Sequence, residues 1–153
     1  MDFFELVNKR HSLRNFSNKL IEPEKIERIL AVAKTAPSVG GLKAYEVIVV
    51  KDKDEKKKLA EAALNQDFIA QAPVVFVFFA CPAISSTKYG QRGQTLYCLQ
   101  DATIACAYTQ LATTNLGLGA CWVGAFDEGM VKKVLSAKKN VIPVALLSVG
   151  YKK

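Results

Sequence analysis

The sequence predicts a mixed fold of helices and strands, of the α+β or mixed α/β layer class. Segments with apolar residues at helical spacing alternate with about four short apolar runs of strand length. Half of the 153 residues are apolar, which is enough for one globular domain with a buried core. No repeat, low-complexity tract or linker divides the chain, so we expect a single domain over residues 1–153.

In the first half of the chain, the elements are predicted from apolar spacing and from cap residues. Asp2 is a candidate N-cap, Pro23 suits the first turn of a helix, and Asp52 or Asp54 caps a third helix. The predicted elements are a helix at 2–9, an irregular polar segment at 10–21, a helix from 23 to before Pro37, a loop at 38–44, a buried strand at 45–50, a helix reaching about Leu64 and a buried strand at 74–80.

The longest predicted helix, residues 95–115, dominates the second half. It is apolar on nearly every side, so we expect it to be buried all round, either in the core or in a subunit interface. It ends at Gly117 and Gly119, since glycine suits the position after a helix. The remaining predicted elements are a strand at 120–125, a helix at 127–136 and a strand at 142–150.

The apolar runs and the N-terminus predict a cytoplasmic protein with no membrane partner. The most apolar run, residues 73–84, is too short for a membrane span and contains two prolines, so it is interpreted as a buried strand. The N-terminus lacks the basic-then-apolar order of a signal peptide. The four cysteines, all in apolar surroundings, are expected to be buried free thiols, and a single histidine with these spacings predicts no metal site: Cys81, Cys98, Cys106 and Cys121.

The net charge of +7 predicts an affinity for anions. Nucleic acid and a phosphorylated small molecule are both candidate partners. Many of the lysines fall in the helical run 52–58 and at the C-terminus, where a solvated face accounts for them. The charge alone leaves both classes of partner open, and the expectation of a small phosphorylated ligand without nucleic acid rests on the family resemblance of the motifs.

Residues 10–14 form a short basic segment, Arg10-His11-Ser12-x-Arg14, with two arginines and the single histidine within five positions. Guanidinium groups bind phosphate through two parallel hydrogen bonds, and a hydroxyl adds a further one. The segment is therefore a candidate anion clamp, and a solvated polar loop is the alternative.

Four segments in order resemble the nitroreductase family of FMN enzymes, and the resemblance covers essentially the whole chain. They are the basic segment at 10–14, Ala-Pro-Ser at 36–38, the run Gly-Leu-Gly-Ala-Cys-Trp-Val-Gly at 117–124, and Gly-Tyr-Lys at 150–152. The resemblance implies a nitroreductase-like three-layer sandwich, in which helices flank a mixed, mainly antiparallel sheet. It also implies a homodimer with two FMN sites at its interface, and residues 95–116 in much of the dimer core.

The resemblance further implies which residues hold FMN. The segment at 10–14 would hold the phosphate and ribityl chain, with Arg14 toward the N1 and O2 edge of the flavin. Backbone N–H groups after the third strand would face N5 and O4, Lys152 would meet the phosphate, and residues 37–39 would come from the second subunit. No side chain is assigned a catalytic role, because FMN carries the chemistry. The implied cofactor-binding residues are Arg10, His11, Ser12, Arg14, Pro37, Ser38, Val39, Asn65, Val123, Gly124, Ala125 and Lys152.

The loop after Ser38 departs from the family's pattern, Ala-Pro-Ser-x-x-Asn-x-Gln-Pro-Trp. Gly41 replaces the asparagine, Lys43 the glutamine, Ala44 the proline and Tyr45 the tryptophan. The glycine pair at 40–41 is more similar to the branch that includes the azoline-oxidising dehydrogenases of peptide natural products. The departures weaken any inference that nitroaromatic compounds are preferred.

The implied function is that of an FMN-dependent NAD(P)H oxidoreductase with a ping-pong mechanism. NAD(P)H would deliver hydride to flavin N5 and leave, and a small organic acceptor, such as a nitro compound or quinone, would then receive the electrons. Two alternatives stay open: a flavin-dependent dehydrogenase that oxidises its substrate, and a non-enzymatic FMN-binding protein. No Rossmann fingerprint is present to indicate a choice between NADH and NADPH.

Overall fold

A computed structural model describes all residues, 1–153. The chain forms seven α-helices and four strands. None of the helices combines the length and the hydropathy that crossing a bilayer requires. The helices are α1 (Phe3–Lys9), α2 (Pro23–Thr35), α3 (Lys53–Ala62), α4 (Phe68–Gln71), α5 (Pro82–Arg92), α6 (Cys98–Asn115) and α7 (Glu128–Val134). The strands are β1 (Tyr45–Val50), β2 (Val74–Ala80), β3 (Gly119–Val123) and β4 (Ile142–Gly150).

The four strands form one sheet in the order β1-β2-β4-β3, and all three neighbouring pairs are antiparallel. Every residue of β2 is buried, because β2 is a central strand with helices on both faces. The prediction that β1 is also buried is wrong within one chain: only Val50 is buried. The reason is that β1 lies at the edge of the sheet and has a neighbour on one side only.

Two layers of helices cover the sheet and confirm the predicted three-layer sandwich. On one face, α2 and α6 pack against Phe76 and Phe78 of β2. On the other face, α3, α4 and α7 pack against Val75, Val77 and Phe79. Because successive strand residues point to opposite faces, one apolar strand supplies both cores.

The long helix differs from its prediction at its start and in its burial. Residues Gly93–Tyr97 form a wider π turn, and α6 begins only at Cys98. The helix α5 before this turn was not predicted, since it combines serine, threonine and lysine with few apolar residues. Within one chain, α6 is buried along one face only, and apolar side chains such as Ile104 and Leu111 stay partly accessible on its other side.

Candidate functional site

The basic segment at 10–14 lies along the free edge of β3. Ser12 forms a parallel bridge with Ala120, and the N–H of Leu13 donates to the Ala120 carbonyl at 2.9 Å. Just after this segment, Phe16 forms an antiparallel bridge with Lys152. The segment that was predicted to be irregular therefore extends the sheet by short pairings at its edge.

Two glycines of the motifs allow this close approach. A Cβ atom on Gly119 would overlap the side chain of Leu13. A Cβ atom on Gly150 would stand 2.9 Å from the Phe16 ring and 2.6 Å from Pro73. Leu13 and Phe16 are themselves buried and anchor the segment. The glycine at the start of β3 thus makes room for Leu13 of the basic segment, and the glycine at the end of β4 makes room for Phe16 and Pro73.

A cavity of about 170 Å³ opens where the basic segment meets the start of β3. Lys9, His11 and Lys152 line it together with the backbone of Gly117 and Gly119, and no carboxylate is among its lining residues. His11 Nδ1 lies 3.1 Å from the Lys9 carbonyl, so Nδ1 carries the hydrogen of that bond and Nε2 stays free. Three basic side chains beside exposed backbone suit a phosphate group.

The cavity brings together two predicted residues, His11 and Lys152, and adds Lys9, which the sequence analysis missed. The signal for Lys9 was its position next to Arg10 in an unbroken basic run. Arg10 is the half-buried residue at the end of α1, and its N–H donates to the Leu6 carbonyl. Its side chain does not line this cavity.

Ser12 and Arg14 lie next to Cys121 of β3. Burial raises the pKa of the Cys121 thiol, while the charge of Arg14 and a hydrogen bond with Ser12 act in the opposite direction. Residues two apart on an extended segment share a face, so Ser12 and Arg14 point to one side while His11 points to the other. All four predicted cysteines are buried, as expected.

Tyr151 holds the C-terminal motif in place beside α2. Its hydroxyl donates to Glu22 Oε2 at 2.5 Å and accepts from Lys25 Nζ at 2.6 Å, and Lys19 Nζ lies 4.1 Å from its ring centroid. The hydrogen bond from Tyr151, together with the nearby lysines, lowers the pKa of Glu22 to about 2. These contacts fix the backbone that carries Lys152 toward the cavity.

The loop after β3 contains the predicted residues Gly124 and Ala125, which are both exposed. Neither of their N–H groups donates a hydrogen bond within the chain. The N–H of Asp127, where α7 begins, donates to the Ala62 carbonyl at 2.9 Å and so ties this loop to the end of α3. Asn65 follows that end in a left-handed conformation, with φ of 57°.

The predicted residues 37–39 lie at the opposite edge of the sheet, in the loop before β1. Strands in a sheet are about 4.8 Å apart, so three spacings separate β1 from β3 by roughly 14 Å. A single chain therefore does not bring Pro37, Ser38 and Val39 to the segment at 10–14. Their contribution from a second subunit stays a prediction.

Asp101 fixes the loop at 38–44, and the sequence analysis did not identify it. Its carboxyl group, fully buried on α6, accepts hydrogen bonds from the N–H of Val39 at 2.9 Å and of Ala44 at 3.2 Å. A third bond closes the loop, from the N–H of Lys43 to Ser38 Oγ at 3.0 Å. The available signal was that Asp101 is the only charged residue in the predicted helix at 95–115.

The departures from the family's pattern have local structural roles in this loop. Gly40, Gly41 and Lys43 all have left-handed backbones, with φ of 63°, 67° and 49°, a conformation that glycine adopts without strain. The hydroxyl of Tyr45 donates to the Ala33 carbonyl at the end of α2 at 2.8 Å. Burial and, to a lesser degree, the charge of Asp101 raise the pKa of Tyr45.

Solved structures with the same fold place this chain in a class of α+β oxidoreductases. A nitroreductase family protein from Clostridium novyi NT is 30% identical, with a TM-score of 0.91 over 100% of this chain and 86% of its own. An FMN-dependent nitroreductase from Clostridium difficile R20291 is 28% identical, with a TM-score of 0.86 over 99% of this chain and 88% of its own.

Sequence comparison identifies the family. A family model described as "Nitroreductase family" matches residues 7–66 and 62–151, so the chain belongs to the nitroreductase family. A protein of Archaeoglobus fulgidus, provisionally named NADH dehydrogenase/NAD(P)H nitroreductase, is 31% identical over 97% of this chain and 84% of its own length. FMN reductase [NAD(P)H] of Bacillus subtilis is 28% identical over 95% of this chain and 64% of its own length. The family predicted from the sequence is confirmed.

Replacing Asp101 by Asn should loosen the loop at 38–44. The amide oxygen of asparagine can accept a hydrogen bond from one of the two N–H groups. The amide nitrogen is itself a donor, so the other N–H group loses its acceptor. Leaving a buried donor unpaired costs about 1–3 kcal/mol of unfolding free energy. We expect that loss in urea denaturation, together with faster hydrogen exchange at Val39 and Ala44. Thr103→Ala, an exposed change on the same helix, should stay within about 0.5 kcal/mol. Unchanged exchange at both amides would show that Asp101 does not hold the loop.

Proposed function

We propose that FMN lies along the edge of β3, with its phosphate in the cavity of Lys9, His11 and Lys152 and its ring at the loop of Gly124 and Ala125. The observation that carries this proposal is the convergence of three basic side chains on one small cavity at the end of an otherwise uncovered strand edge. The residues present fit FMN. Basic side chains line the cavity proposed for the phosphate, and the backbone N–H groups that make no hydrogen bond within the chain begin at Gly124, four residues after Ala120.

Family membership, with the names of the relatives, confirms the predicted class, an FMN-dependent NAD(P)H oxidoreductase, and its cofactor FMN. Bound FMN supplies the redox chemistry, in which a hydride from NAD(P)H is taken up at N5 and electrons pass to an acceptor in a second half-reaction. We assign to this chain a small organic acceptor, such as a nitro compound or quinone, and a ping-pong sequence of the two half-reactions.

The spacing along β3 supports this placement. A strand rises about 3.3 Å per residue, so Ala120 and Gly124 are roughly 13 Å apart. Arg14 lies between these two points, beside Cys121. Its guanidinium provides positive charge next to the ring, where negative charge develops on reduction. The free N–H groups of Gly124 and Ala125 provide hydrogen bonds without a catalytic side chain.

The second half of the site belongs, in this proposal, to a second copy of the chain. The loop at 37–39 lies at the far edge of the sheet and reaches a flavin only if another copy presents it. The alternative of a substrate-oxidising dehydrogenase is favoured by one feature, the glycine pair at 40–41. A yellow protein that oxidises neither NADH nor NADPH, but whose flavin is reduced by another organic substrate, would identify that alternative.

The first test concerns the cofactor. Heat release of the flavin from purified or reconstituted protein should give FMN, bound non-covalently, because the cavity beside Lys152 has room for one compact phosphate. Chromatography and the absorbance spectrum identify the flavin, and anaerobic titration with NADH and NADPH then measures its reduction. Recovery of FAD, or no flavin after reconstitution, would contradict the proposal.

The second test concerns assembly. Large apolar side chains are exposed on α1 and α6: Phe3 is 62% exposed, Phe4 77% and Tyr108 39%. We expect a homodimer by light scattering, with FMN bound only by the dimer. Phe4→Asp should weaken both association and FMN binding, whereas Lys58→Glu, on the exposed side of α3, should affect neither. A monomer that binds FMN tightly would refute the two-subunit site.

The third test separates Arg10 from Arg14. Arg10→Ala should chiefly weaken FMN affinity: the Arg10 side chain does not line the cavity in the unbound chain, so in this proposal it turns to the phosphate from the position next to Lys9. Losing that charge-assisted hydrogen bond costs about 1.5–3 kcal/mol, or roughly ten- to a hundredfold in Kd. Arg14→Ala should instead lower the reduction potential of the bound flavin and slow hydride uptake at saturating FMN. Arg14→Lys should restore much of the potential, since a cation matters there more than a planar fork.

Equilibrium titration with FMN and spectroelectrochemistry measure the two quantities. Lys58→Ala is the control for loss of one positive charge. If Arg10 and Arg14 belong only to a solvated loop, their substitutions should shift neither the dissociation constant nor the potential, and the assignment of residues 10–14 to FMN would then fail.

A further inference from the structure

Four basic and aromatic side chains form a cluster on α5 and the π turn, and none of them is a residue assigned to FMN. The Tyr89 and Tyr97 rings meet edge to face, with centroids 5.3 Å apart. Arg92 Nε donates to the Tyr97 hydroxyl at 3.0 Å, and its guanidinium lies 5.4 Å from the Tyr97 ring centroid. Lys88 Nζ lies 5.5 Å from the Tyr89 ring centroid. We call these residues the tyrosine–arginine cluster.

The tyrosine–arginine cluster packs on the loop that Asp101 holds. The Tyr89 hydroxyl lies so close to Gly40 that a Cβ atom there would overlap it. Gly40 follows Val39 directly, and Val39 is one of the two residues that donate to Asp101. In the proposed dimer, this loop reaches the flavin of the other subunit. Tyr89 would therefore lie beside the same site, with the rest of the cluster adjoining it through Tyr97.

The backbone that carries the cluster is unusual and fixed. Gly90 has φ of 55° and ψ of −136°, a conformation essentially restricted to glycine. Gly93 opens the π turn, and a Cβ atom on it would stand 2.6 Å from the Ser85 carbonyl oxygen. π turns inside helices are frequent at functional sites. Here the kink and the turn place Arg92 and Tyr97 side by side.

Arg92 is exposed, is oriented by one hydrogen bond from its Nε to the Tyr97 hydroxyl, and has no anionic partner. The ion pairs of the chain involve Lys19, Lys25 and Lys138, and none involves Arg92. One hydrogen bond to Tyr97 uses Nε, which leaves the donors of the two terminal nitrogens directed at no acceptor in the chain. A guanidinium that is already oriented loses less entropy when it binds an oxyanion through its planar fork.

We propose that Arg92 binds an oxyanion group of the molecule that reacts at the flavin, and that Tyr89 and Tyr97 border the same ligand. This inference rests on the proposed function and adds the class of ligand, a substrate carrying a phosphate or a carboxylate. The phosphates of NAD(P)H and a carboxylate on the acceptor are two sources of this chemistry. Lys88, beside Tyr89, adds a second positive charge to the ligand's surroundings.

The test uses the FMN-loaded protein and the variants Arg92→Gln, Arg92→Lys and Tyr97→Phe, with Lys58→Gln as the control for loss of one exposed charge. Steady-state kinetics give kcat and KM for NADPH and NADH, and for 4-nitrobenzoate against the uncharged 4-nitrobenzyl alcohol. Calorimetric titration with NADP⁺ and with 4-nitrobenzoate measures binding without turnover. The flavin content of each variant is measured beforehand.

Arg92→Gln should raise KM and the calorimetric Kd about tenfold or more for at least one anionic ligand. Arg92→Lys should recover part of this loss, and Tyr97→Phe should produce a smaller loss in the same direction. A change confined to the nucleotides identifies their phosphates as the source, and a change confined to 4-nitrobenzoate identifies the acceptor.

Equal effects on charged and uncharged ligands, or changes below threefold for all of them, would overturn the assignment of Arg92. If the unsubstituted protein binds no FMN or oxidises neither nucleotide, the proposed function fails first and this inference falls with it. An enzyme that turns over normally while Arg92→Gln leaves every anionic ligand unaffected refutes the inference alone.

Discussion

The close contact between the basic segment and the edge of β3 is the constraint on which one half of the proposed FMN site depends. The N–H of Leu13 donates to the Ala120 carbonyl, and the Leu13 side chain occupies the space that a Cβ atom on Gly119 would need. The same contact places His11 beside Lys152 and directs Arg14 toward Cys121. A small cationic cavity, an intermediate charge and a pair of free backbone donors then follow one another along a single strand edge. This order of groups supports the placement of FMN that we propose.

The loop before β1, which supplies the other half of the proposed FMN site, depends on a buried acid. Asp101 is placed by α6, the helix that also covers the face of the sheet, and it fixes the loop before β1 through two backbone N–H groups. This loop and β3 stand at opposite edges of the same sheet. In the proposed site both edges bind one flavin, which a single chain cannot bring about, and the exposed apolar residues of α1 and α6 provide a surface through which two copies would associate.

Elements whose formation is decided by local pattern were predictable from the sequence. Strands β2 and β4 have the predicted bounds, because short continuous apolar runs rich in β-branched residues favour a buried strand. The helix α5 was missed because its residues are mostly polar and its end depends on how Gly90 bends the chain. The role of Asp101 was not predictable either, since its two partners lie about sixty residues earlier and are backbone groups without a sequence signature. Family resemblance, by contrast, indicated that the segment at 10–14 and Lys152 meet at the phosphate, but not that Lys9 and His11, rather than Arg10, line the cavity with Lys152.

The position of β1 at the sheet edge has a consequence for the chain before it assembles. Its sequence, YEVIVV, is short, β-branched and almost uncharged, and one row of its backbone donors and acceptors has no neighbour in the single chain. Such an edge is a template for unintended strand addition and aggregation. Glu46, which pairs with Lys138 at 3.4 Å, and the charged run that begins at Lys51 act as gatekeepers against this pairing. Substitutions that neutralise these charges are therefore expected to reduce the yield of folded protein even where they leave the assembled structure intact.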